Sequence, residues 1–283
     1  MNNPKVILVT GCSSGFGLLT AARLAAEGHL VWATMRNLSK KQDLENELAR
    51  RKTKAVIREL DVTKIPTIKS VVEEIQKTHT TIDVLINNAG YGIAGFFEDL
   101  SDEDIRSQME VNFFGVQNVC REVIPLMRKR LKGRIINISS IAGQAASPCL
   151  GAYNASKWAL EGFSESLYFE LGLFGISVVL VEPGLYPTHI FTENAHYASD
   201  FDNPQSPYFS INQKVRSISQ QSIKNVDRDP EEVAQLIENI IKDPRPRLRY
   251  ISDLSSWLRV MAQKTLPPRL TAHIFRRLIH ADR

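Results

Sequence analysis

The chain has 283 residues, of which 43% are hydrophobic and 23% charged, with a formal net charge of +4. This globular composition is sufficient for one large core, and no run approaches the ~18 apolar residues of a membrane span. Three cysteines without a CxxC pair argue against a disulfide framework and a zinc site, and we expect a reducing, cytoplasmic location. Residues 245–283 hold nine Arg or Lys and two Asp, so the rest is slightly acidic and a general nucleic-acid binder is not indicated.

The first predicted unit is a buried strand, a glycine turn and a helix. Residues 5–10 read KVILVT and lead directly into Gly11, after which an apolar helical pattern begins. Such a unit cradles a dinucleotide phosphate, although a glycine-rich connection without a ligand remains the alternative. Since no Lys-Ser/Thr follows the glycines, a P-loop is disfavoured. The predicted cofactor contacts in this turn are Gly11, Ser13, Ser14, Gly15, Phe16 and Gly17.

The second predicted strand, residues 30–35, ends at a position that bears on cofactor choice. An NAD enzyme often has an acidic residue here for the ribose hydroxyls, whereas this chain has Arg36. A guanidinium suits the 2′-phosphate of NADP(H) through charge-assisted hydrogen bonds. Arg36 therefore predicts NADP(H), with a solvated surface arginine as the alternative.

Strands and helices then alternate along the chain. Helices are predicted at 38–51, 65–79, from Ser101 toward Arg130 and at 150–173, and strands at 55–60, 82–86, 134–139 and 176–181. Alternation of this kind predicts an α/β fold with a doubly wound, mostly parallel sheet of seven strands and helices on both faces. We expect one domain over residues 1–283.

Polar residues follow several of these strands, where open α/β sheets bind ligands. Asp61-Val62 follows the third strand, at the expected edge of an adenine ring, and the fourth runs into Asn87-Asn88-Ala89-Gly90. Asn112 interrupts an apolar helical stretch, so its amide requires either a structural or a functional hydrogen bond. Ser140 ends the fifth strand.

Tyr153 and Lys157 form the expected chemical centre. Residues four apart lie on one face of a helix, so the phenol and the ammonium can converge. An adjacent cation favours the phenolate and is expected to lower the pKa of Tyr153 from ~10 toward the working range. Ser140 is then suited to hydrogen-bond the oxygen that gains or loses the proton. A Tyr-x-x-x-Lys pair alone is also found by chance.

These motifs, in this order and spacing, resemble the short-chain dehydrogenase/reductase family over about residues 5–190. The resemblance implies that Tyr153 is the general acid or base and that Ser140 polarises the substrate oxygen. It also implies that Lys157 lowers the pKa of the tyrosine and holds the nicotinamide ribose, and that Asn112 anchors a water in a proton relay. The implied cofactor contacts elsewhere are Asp61, Val62, Asn88, Ala89, Gly90, Tyr153, Lys157, Pro183, Gly184 and Thr188.

Two positions depart from the family pattern, and three stretches resemble one branch of the family. Phe16 replaces a smaller aliphatic residue, and Tyr186-Pro187 is an unusual approach to Thr188, so both are expected to reshape the pocket. The glycine turn, residues 33–36 and residues 246–250 resemble the branch that contains 17β-hydroxysteroid and retinol dehydrogenases. That likeness implies a bulky, apolar alcohol or ketone.

Residues 185–229 are predicted to form a long substrate-binding loop or lid. This stretch is rich in aromatic residues, which favour a large apolar substrate, although an ordinary surface excursion is the alternative. His189 and His196 lie seven apart without a third ligand, so no metal site is predicted. The aromatic residues are Tyr186, Phe191, Tyr197, Phe201, Tyr208 and Phe209.

The C-terminal extension, residues 253–283, is predicted to form two basic amphipathic helices after a seventh strand at 248–252. We expect them to dock on the domain or on a partner subunit and to wall the pocket, with peripheral attachment to an anionic membrane as the less favoured alternative. The family resemblance implies a homodimer or homotetramer through helices 101–131 and 150–173.

The leading functional prediction is an NADP(H)-dependent oxidoreductase that acts on a hydrophobic carbonyl or alcohol, with reduction favoured. The alternatives are a cofactor-binding regulator without turnover, an enzyme of the same family that takes a small or polar carbonyl, and, less consistent with the aromatic loop, an epimerase or dehydratase.

Overall fold

A computed structural model describes residues 4–188 and 195–280, with side chains to 277. Its centre is a sheet of seven strands that pair in parallel in the order β3-β2-β1-β4-β6-β7-β9. A second, two-stranded parallel sheet joins β5 to β8. The predicted doubly wound α/β architecture, the Rossmann arrangement, is therefore confirmed.

The nine strands named for the described part of the chain are β1 (Val6–Val9), β2 (Leu30–Met35), β3 (Val56–Glu59), β4 (Val84–Asn87), β5 (Ile93–Ala94), β6 (Gly133–Ile138), β7 (Ile176–Glu182), β8 (His196–Tyr197) and β9 (Arg249–Ile251). The helices are α1 (Gly15–Ala26), α2 (Gln42–Arg50), α3 (Ile65–His79), α4 (Asp102–Met109), α5 (Gly115–Lys129), α6 (Gly151–Gly172), α7 (Phe209–Lys224), α8 (Glu231–Lys242), α9 (Leu254–Thr265) and α10 (Pro268–His280).

Alternate side chains of the central strands build two cores, one on each face of the sheet. In β1, Ile7 and Val9 belong to the core beneath α1, α2 and α8, whereas Val6 and Leu8 belong to the core beneath α3, α5 and α6. Because successive residues of a strand point to opposite faces, a strand covered by helices on both sides must be apolar throughout. This is why the strands read as continuous apolar runs.

The structure revises one predicted helix. The stretch from Ser101 toward Arg130 divides into α4, a π-helical turn at Glu110–Phe114, and α5. Ser101 caps α4 with Asp104 in a reciprocal capping box. Single π-helical turns occur frequently at functional sites, and this one carries Asn112.

The stretch 185–229 was predicted to be a long loop. It instead contains the short strand β8 and the sixteen-residue helix α7. His189 and Phe191 lie outside the described residues. The predicted C-terminal helices form as α9 and α10. Within residues 4–188 and 195–280, no helix combines the length and apolar character needed to cross a bilayer.

Candidate active site

A cleft of about 980 Å³ opens where β1, β4, β6 and β7 end at their carboxyl edges. Its walls come from the glycine turn after β1, the Asn88–Gly90 segment after β4, and the residues that follow β6 and β7. This is the place where open α/β sheets bind ligands, because the strand order reverses there and the connecting loops separate. Most of the predicted site residues therefore meet in one cavity.

The glycine turn is shaped by backbone constraints that other residues would not satisfy. Gly11 and Gly15 adopt φ values of +72° and +56°, in the left-handed region. A Cβ on Gly17 would lie 2.3 Å from the carbonyl oxygen of Gly11 and 2.3 Å from the Asn88 amide nitrogen. Glycine at these positions therefore permits the tight turn and the close packing of α1 against it.

Asn88 and Thr10 hold this turn against β4. The Asn88 amide donates to the carbonyl oxygens of Thr10 (3.0 Å) and Gly11 (2.9 Å). In return, the Thr10 hydroxyl accepts from the backbone N–H groups of Asn88 (3.0 Å) and Ala89 (3.1 Å). The Asn88 side chain therefore positions the cradle, while its neighbours Ala89 and Gly90 line the cleft.

The first turn of α1 fits an anionic phosphate. Ser14 precedes the helix without capping it through its side chain, and the first turn contains no acidic residue. The backbone N–H groups at this end therefore remain available to an anion, and the helix dipole favours negative charge. The exposed Arg36 lines the same cleft and has no ion-pair partner among the described residues. Together these groups fit a pyrophosphate with an additional phosphate nearby.

The remaining predicted contacts also line the cleft. Asp61 is 8% exposed, and its Oδ1 accepts from the backbone N–H (3.0 Å) and hydroxyl (2.7 Å) of Thr63. It lines the cleft together with Val62. Thr188 lies over the glycine turn, since a Cβ on Gly15 would be 3.7 Å from the Thr188 Cβ. Pro183 and Gly184 also line the cleft.

The two residues that depart from the family pattern contact each other. The rings of Phe16 and Tyr186 meet edge to face with centroids 5.5 Å apart. Tyr186 is fully buried, and its hydroxyl donates to Glu232 Oε2 at 3.3 Å. An aromatic contact thus joins the glycine turn to the segment that closes over it, a relation that neither residue indicates in the sequence alone.

Ser140, Tyr153 and Lys157 share one wall of the cleft. Tyr153 is 9% and Lys157 6% exposed, and the Lys157 ammonium lies 5.8 Å from the centroid of the Tyr153 ring. Lys157 Nζ donates to the Ile138 carbonyl oxygen at 2.8 Å. The Ser140 hydroxyl is oriented by the backbone N–H of Ala142 (3.1 Å) and hydrogen-bonds Tyr153. The phenol therefore faces the cleft between a hydroxyl and an ammonium.

The pKa shifts in this wall differ from the sequence-based expectation. Burial raises the pKa of Tyr153, and the hydrogen bond with Ser140 opposes that rise. Burial also lowers the pKa of Lys157 to about 8, against the opposing charge of Glu161. The expected lowering of the Tyr153 pKa by Lys157 is therefore not seen, because the ammonium is itself desolvated and bound to the Ile138 carbonyl. With its pKa raised, the Tyr153 phenol stays protonated.

Asn112 lies behind the cleft wall and uses its whole amide on neighbouring residues. Its Nδ2 donates to the Tyr91 carbonyl oxygen (2.9 Å) and to the Ser156 hydroxyl (3.1 Å), and its Oδ1 accepts from the Tyr91 backbone N–H (3.1 Å). One turn earlier, the fully buried Gln108 bonds the Tyr91 carbonyl and the Ile93 N–H. The two amides fix the segment after β4. Gln108 was not predicted, although its position four residues before Asn112 in the predicted helix could have indicated that the two side chains lie on one face.

The aromatic residues expected to line a substrate pocket divide into three groups. Tyr186 and Tyr197 line the cleft, and His196 joins them there, 5.0 Å from the Tyr91 ring. Phe201 is buried in a separate cluster, and Tyr208 stacks on Phe96 with its hydroxyl on Glu98. Within the described residues, no three His, Cys, Asp or Glu side chains are grouped as metal ligands.

Comparison with known proteins identifies the family. Residues 5–198 match the family model described as short chain dehydrogenase. The chain belongs to this family. It is 45% identical over 191 residues to a 3-ketodihydrosphingosine reductase of Bacteroides thetaiotaomicron, covering 68% of this chain and 67% of that protein. It is 35% identical to human retinol dehydrogenase 8, covering 87% and 80% respectively.

Solved structures of short-chain dehydrogenases share the fold. A short-chain dehydrogenase from Streptomyces avermitilis is 30% identical and superposes with a TM-score of 0.79, covering 97% of each chain. A single-residue variant of the actinorhodin polyketide ketoreductase, solved with NADPH, is also 30% identical, with a TM-score of 0.73 and coverage of 88% and 95%. The relatives named after retinol agree with the resemblance to the retinol dehydrogenase branch.

Proposed function

We propose that this short-chain dehydrogenase is an NADP(H)-dependent oxidoreductase that interconverts a hydrophobic ketone or aldehyde and its alcohol, with reduction favoured. The observation that carries the proposal is the shared wall of Ser140, Tyr153 and Lys157 in a cleft continuous with the glycine cradle. A proton-donating phenol beside an anion-binding helix terminus suits proton transfer coupled to hydride transfer.

The cofactor is supported by the chemistry of the cradle. The backbone of Gly11–Gly15 and the first turn of α1 would hold the pyrophosphate, and Arg36 would hold the 2′-phosphate. Asp61 and Val62 would contact the adenine, and Pro183, Gly184 and Thr188 the nicotinamide end. When bound, NADP(H) supplies or accepts a hydride. Arg36, together with the usual reduced state of cellular NADP, favours the reductive direction.

In reduction, Tyr153 would give its phenolic proton to the substrate oxygen, while Ser140 would hold that oxygen by a hydrogen bond. The raised pKa of Tyr153 keeps the proton available until the substrate oxygen becomes more basic. Lys157 would stabilise the phenolate that forms. The negative charge of the phenolate would in turn offset the cost of burying the Lys157 ammonium. Asn112 would act through Tyr91 by fixing the wall of the cleft, and a water held near Lys157 would return the proton.

A hydrophobic substrate is supported by the apolar and aromatic side chains of the cleft, among them Ile93, Tyr186 and Tyr197. It is also supported by relatives named for 3-ketodihydrosphingosine and retinol, both lipid-like compounds. The cleft is also lined by polar side chains, namely Ser107, Glu110 and His196. These residues favour a second candidate substrate, a small or polar carbonyl.

The deciding experiment measures NADPH oxidation, by the absorbance of the reduced nicotinamide, against steroid ketones, retinal, long-chain aldehydes and small ketones. NADH is assayed in parallel. We expect turnover with bulky apolar carbonyls and NADPH. Activity confined to small or polar carbonyls would favour the second candidate, and the absence of turnover with every carbonyl would contradict the proposed enzyme.

A homodimer or homotetramer through α5 and α6 is part of the same proposal. Four large aromatic side chains are exposed in or next to these helices: Phe114 (44%), Trp158 (52%), Tyr168 (38%) and Phe169 (65%). Light scattering of Phe169→Glu against the wild type tests it, since an interface there predicts a smaller assembly for the variant.

A further inference from the structure

Helix α6 carries a third buried ionisable residue in line with the two that face the cleft. Tyr153, Lys157 and Glu161 follow one another at intervals of four and are 9%, 6% and 5% exposed. Residues at this spacing lie along one helix face. Tyr153 and Lys157 line the cleft, whereas Glu161 lies one turn behind them, where the reaction as proposed does not use it.

Glu161 meets a second buried carboxyl group. Glu182 ends β7 directly before Pro183 and is fully buried, and the two carboxyl groups are close enough to hydrogen-bond each other. The Ser139 hydroxyl beside Glu161 makes no hydrogen bond with the described residues, and neither does Oε1 of either carboxyl group. A proton between them supplies the missing donor, because a protonated carboxyl donates while its partner accepts.

The Arg249 guanidinium contacts both groups, and the Lys157 ammonium adds a second positive charge on the side of Glu161. Arg249 Nε lies 3.0 Å from Glu161 Oε2 and 3.5 Å from Glu182 Oε1. The same guanidinium donates to the half-exposed Glu165 at 2.9 Å. Lys264 reaches Glu182 only through Gln144, whose amide bonds the carboxylate. Two adjacent buried carboxylates that share one arginine therefore favour retention of a proton.

We propose that Glu161 and Glu182 share one proton and act as a positioning pair, whose single negative charge supports the buried Lys157 ammonium from behind the cleft. The pair also ties α6 to the end of β7, from which the Pro183-Gly184 segment continues. Its effect on turnover rests on the proposed function, whereas the shared proton is a property of the folded chain.

The pKa shifts agree with this arrangement. Burial, followed by the charge of Glu161, raises the pKa of Glu182 to about 8, and burial raises that of Glu161. Two ordinary carboxyl groups in the unfolded chain would release both protons above pH ~4.3. The pair therefore binds one proton more in the folded chain than in the unfolded chain, and its contribution to stability falls as the pH rises from about 5 toward 8.

The first test measures thermal unfolding between mildly acidic and mildly alkaline pH for Glu161→Gln, Glu182→Gln and the control Glu165→Gln. Glu165 contacts the same arginine but is half-exposed. We expect Glu182→Gln to lose the decline in stability that the wild type shows, Glu161→Gln to reduce it, and Glu165→Gln to keep it. An unchanged decline in both pair variants overturns the proposal.

The second test uses the pH profile of kcat/KM. Removing the Glu161 charge withdraws an anion from Lys157, so Glu161→Gln should move the alkaline limb to lower pH. Glu182→Gln lets Glu161 ionise fully, so the same limb should move to higher pH. A purely structural role would not shift the two profiles in opposite directions, and shifts in the same direction overturn the proposal.

A third measurement uses the wild type alone, in case the variants do not fold. Infrared spectra of protein labelled with ¹³C-glutamate should contain the carbonyl stretch of a protonated carboxyl at neutral pH. A spectrum with carboxylate bands only overturns the pair. If no carbonyl supports NADPH oxidation by the wild type, the proposed function fails. The infrared and unfolding results still decide whether the pair shares a proton.

Discussion

The glycine cradle and the segment that closes over it are built by different kinds of contact. In the cradle, Gly11, Gly17 and Asn88 meet through backbone atoms and one side-chain amide. In the closing segment, Tyr186 packs on Phe16, and Gly184 lies against Ser256 of α9. Backbone geometry demands particular residues at particular spacings, whereas side-chain packing accepts many combinations.

The C-terminal helix α9 completes the second region. Val260 packs on Ile141 and Ala145, which follow the cleft residue Ser140 in the chain. The Arg259 guanidinium donates to the Ser147 hydroxyl at 2.6 Å. No described residue of α9 or α10 lines the cleft, so α9 supports the residues after β6 from behind and does not form the expected wall. Variants of the cradle and of the closing region should differ both in size and in kind of effect.

The largest effect is expected at Tyr153, because its hydroxyl is the proposed proton donor. Tyr153→Phe should lower kcat by at least about 10²-fold, because general acid catalysis contributes this much, while NADPH affinity stays within about twofold. Stopped-flow turnover and fluorescence titration measure the two quantities. Tyr168→Phe, on the exposed side of α6, is the control. Unchanged turnover in Tyr153→Phe would instead indicate a cofactor-binding regulator.

The next effect tests the close backbone approach in the cradle. Gly17→Ala places a Cβ 2.3 Å from a backbone oxygen that cannot move aside. We expect a loss of about 1–3 kcal/mol in the free energy of unfolding and weaker NADPH binding. Gly162→Ala is the matched control, because a Cβ in α6 at that position meets nothing within 4 Å. Equal effects at both glycines would show that the cradle has room to adjust.

Arg36 is expected to distinguish NADPH from NADH. Arg36→Ala should lower kcat/KM for NADPH by about 10- to 100-fold, the value of a charge-assisted hydrogen bond, and leave NADH nearly unchanged. Arg50→Ala, an exposed arginine paired with Glu47 in α2, is the control. If the wild type uses NADH equally well, the argument from Arg36 is wrong.

A double-mutant cycle measures the contact between the two regions. Phe16→Leu, Tyr186→Leu and the double variant should show a coupling of about 0.5–1.5 kcal/mol in the free energy of unfolding. Tyr186→Phe keeps the ring and removes the hydroxyl that bonds Glu232 at 3.3 Å, so it should retain most of the coupling. Additive single effects would mean that the cradle and the closing segment act independently.

The smallest effect is expected on the outer face of α10, where Leu270 and Ile274 are 44% and 47% exposed. The double variant Leu270→Glu, Ile274→Glu should change the free energy of unfolding by less than about 0.5 kcal/mol and leave turnover unchanged. We also expect neither protein to sediment with anionic liposomes. Binding by the wild type that the variant loses would identify α10 as a membrane contact.

Much of the first region could be predicted from the sequence. The bounds of β2 and α3 agree with prediction, and the cradle glycines adopt the conformations that their spacing implies. The four-residue spacing of Tyr153 and Lys157 likewise brings both to one wall. Such features depend on local backbone geometry, which a short stretch of chain specifies by itself.

Other features required contacts between distant parts of the chain. The sequence did not indicate that α7 would form in the expected loop, that Phe16 would meet Tyr186, or that Glu182 would lie beside Glu161. The sequence also led to the wrong direction for the pKa of Tyr153. Packing removes water from the phenol, and the resulting rise in its pKa outweighs the lowering expected from a neighbouring cation.

The sequence by itself determined the family, the sheet and the identity of the groups in the cleft, because those follow from periodicity and from backbone constraints. Only the tertiary structure decided how deeply each ionisable group is buried and which distant side chain faces it. Desolvation and pairing depend on the whole packed surroundings of a group, and these two quantities control the protonation of Tyr153, Lys157 and the Glu161–Glu182 pair.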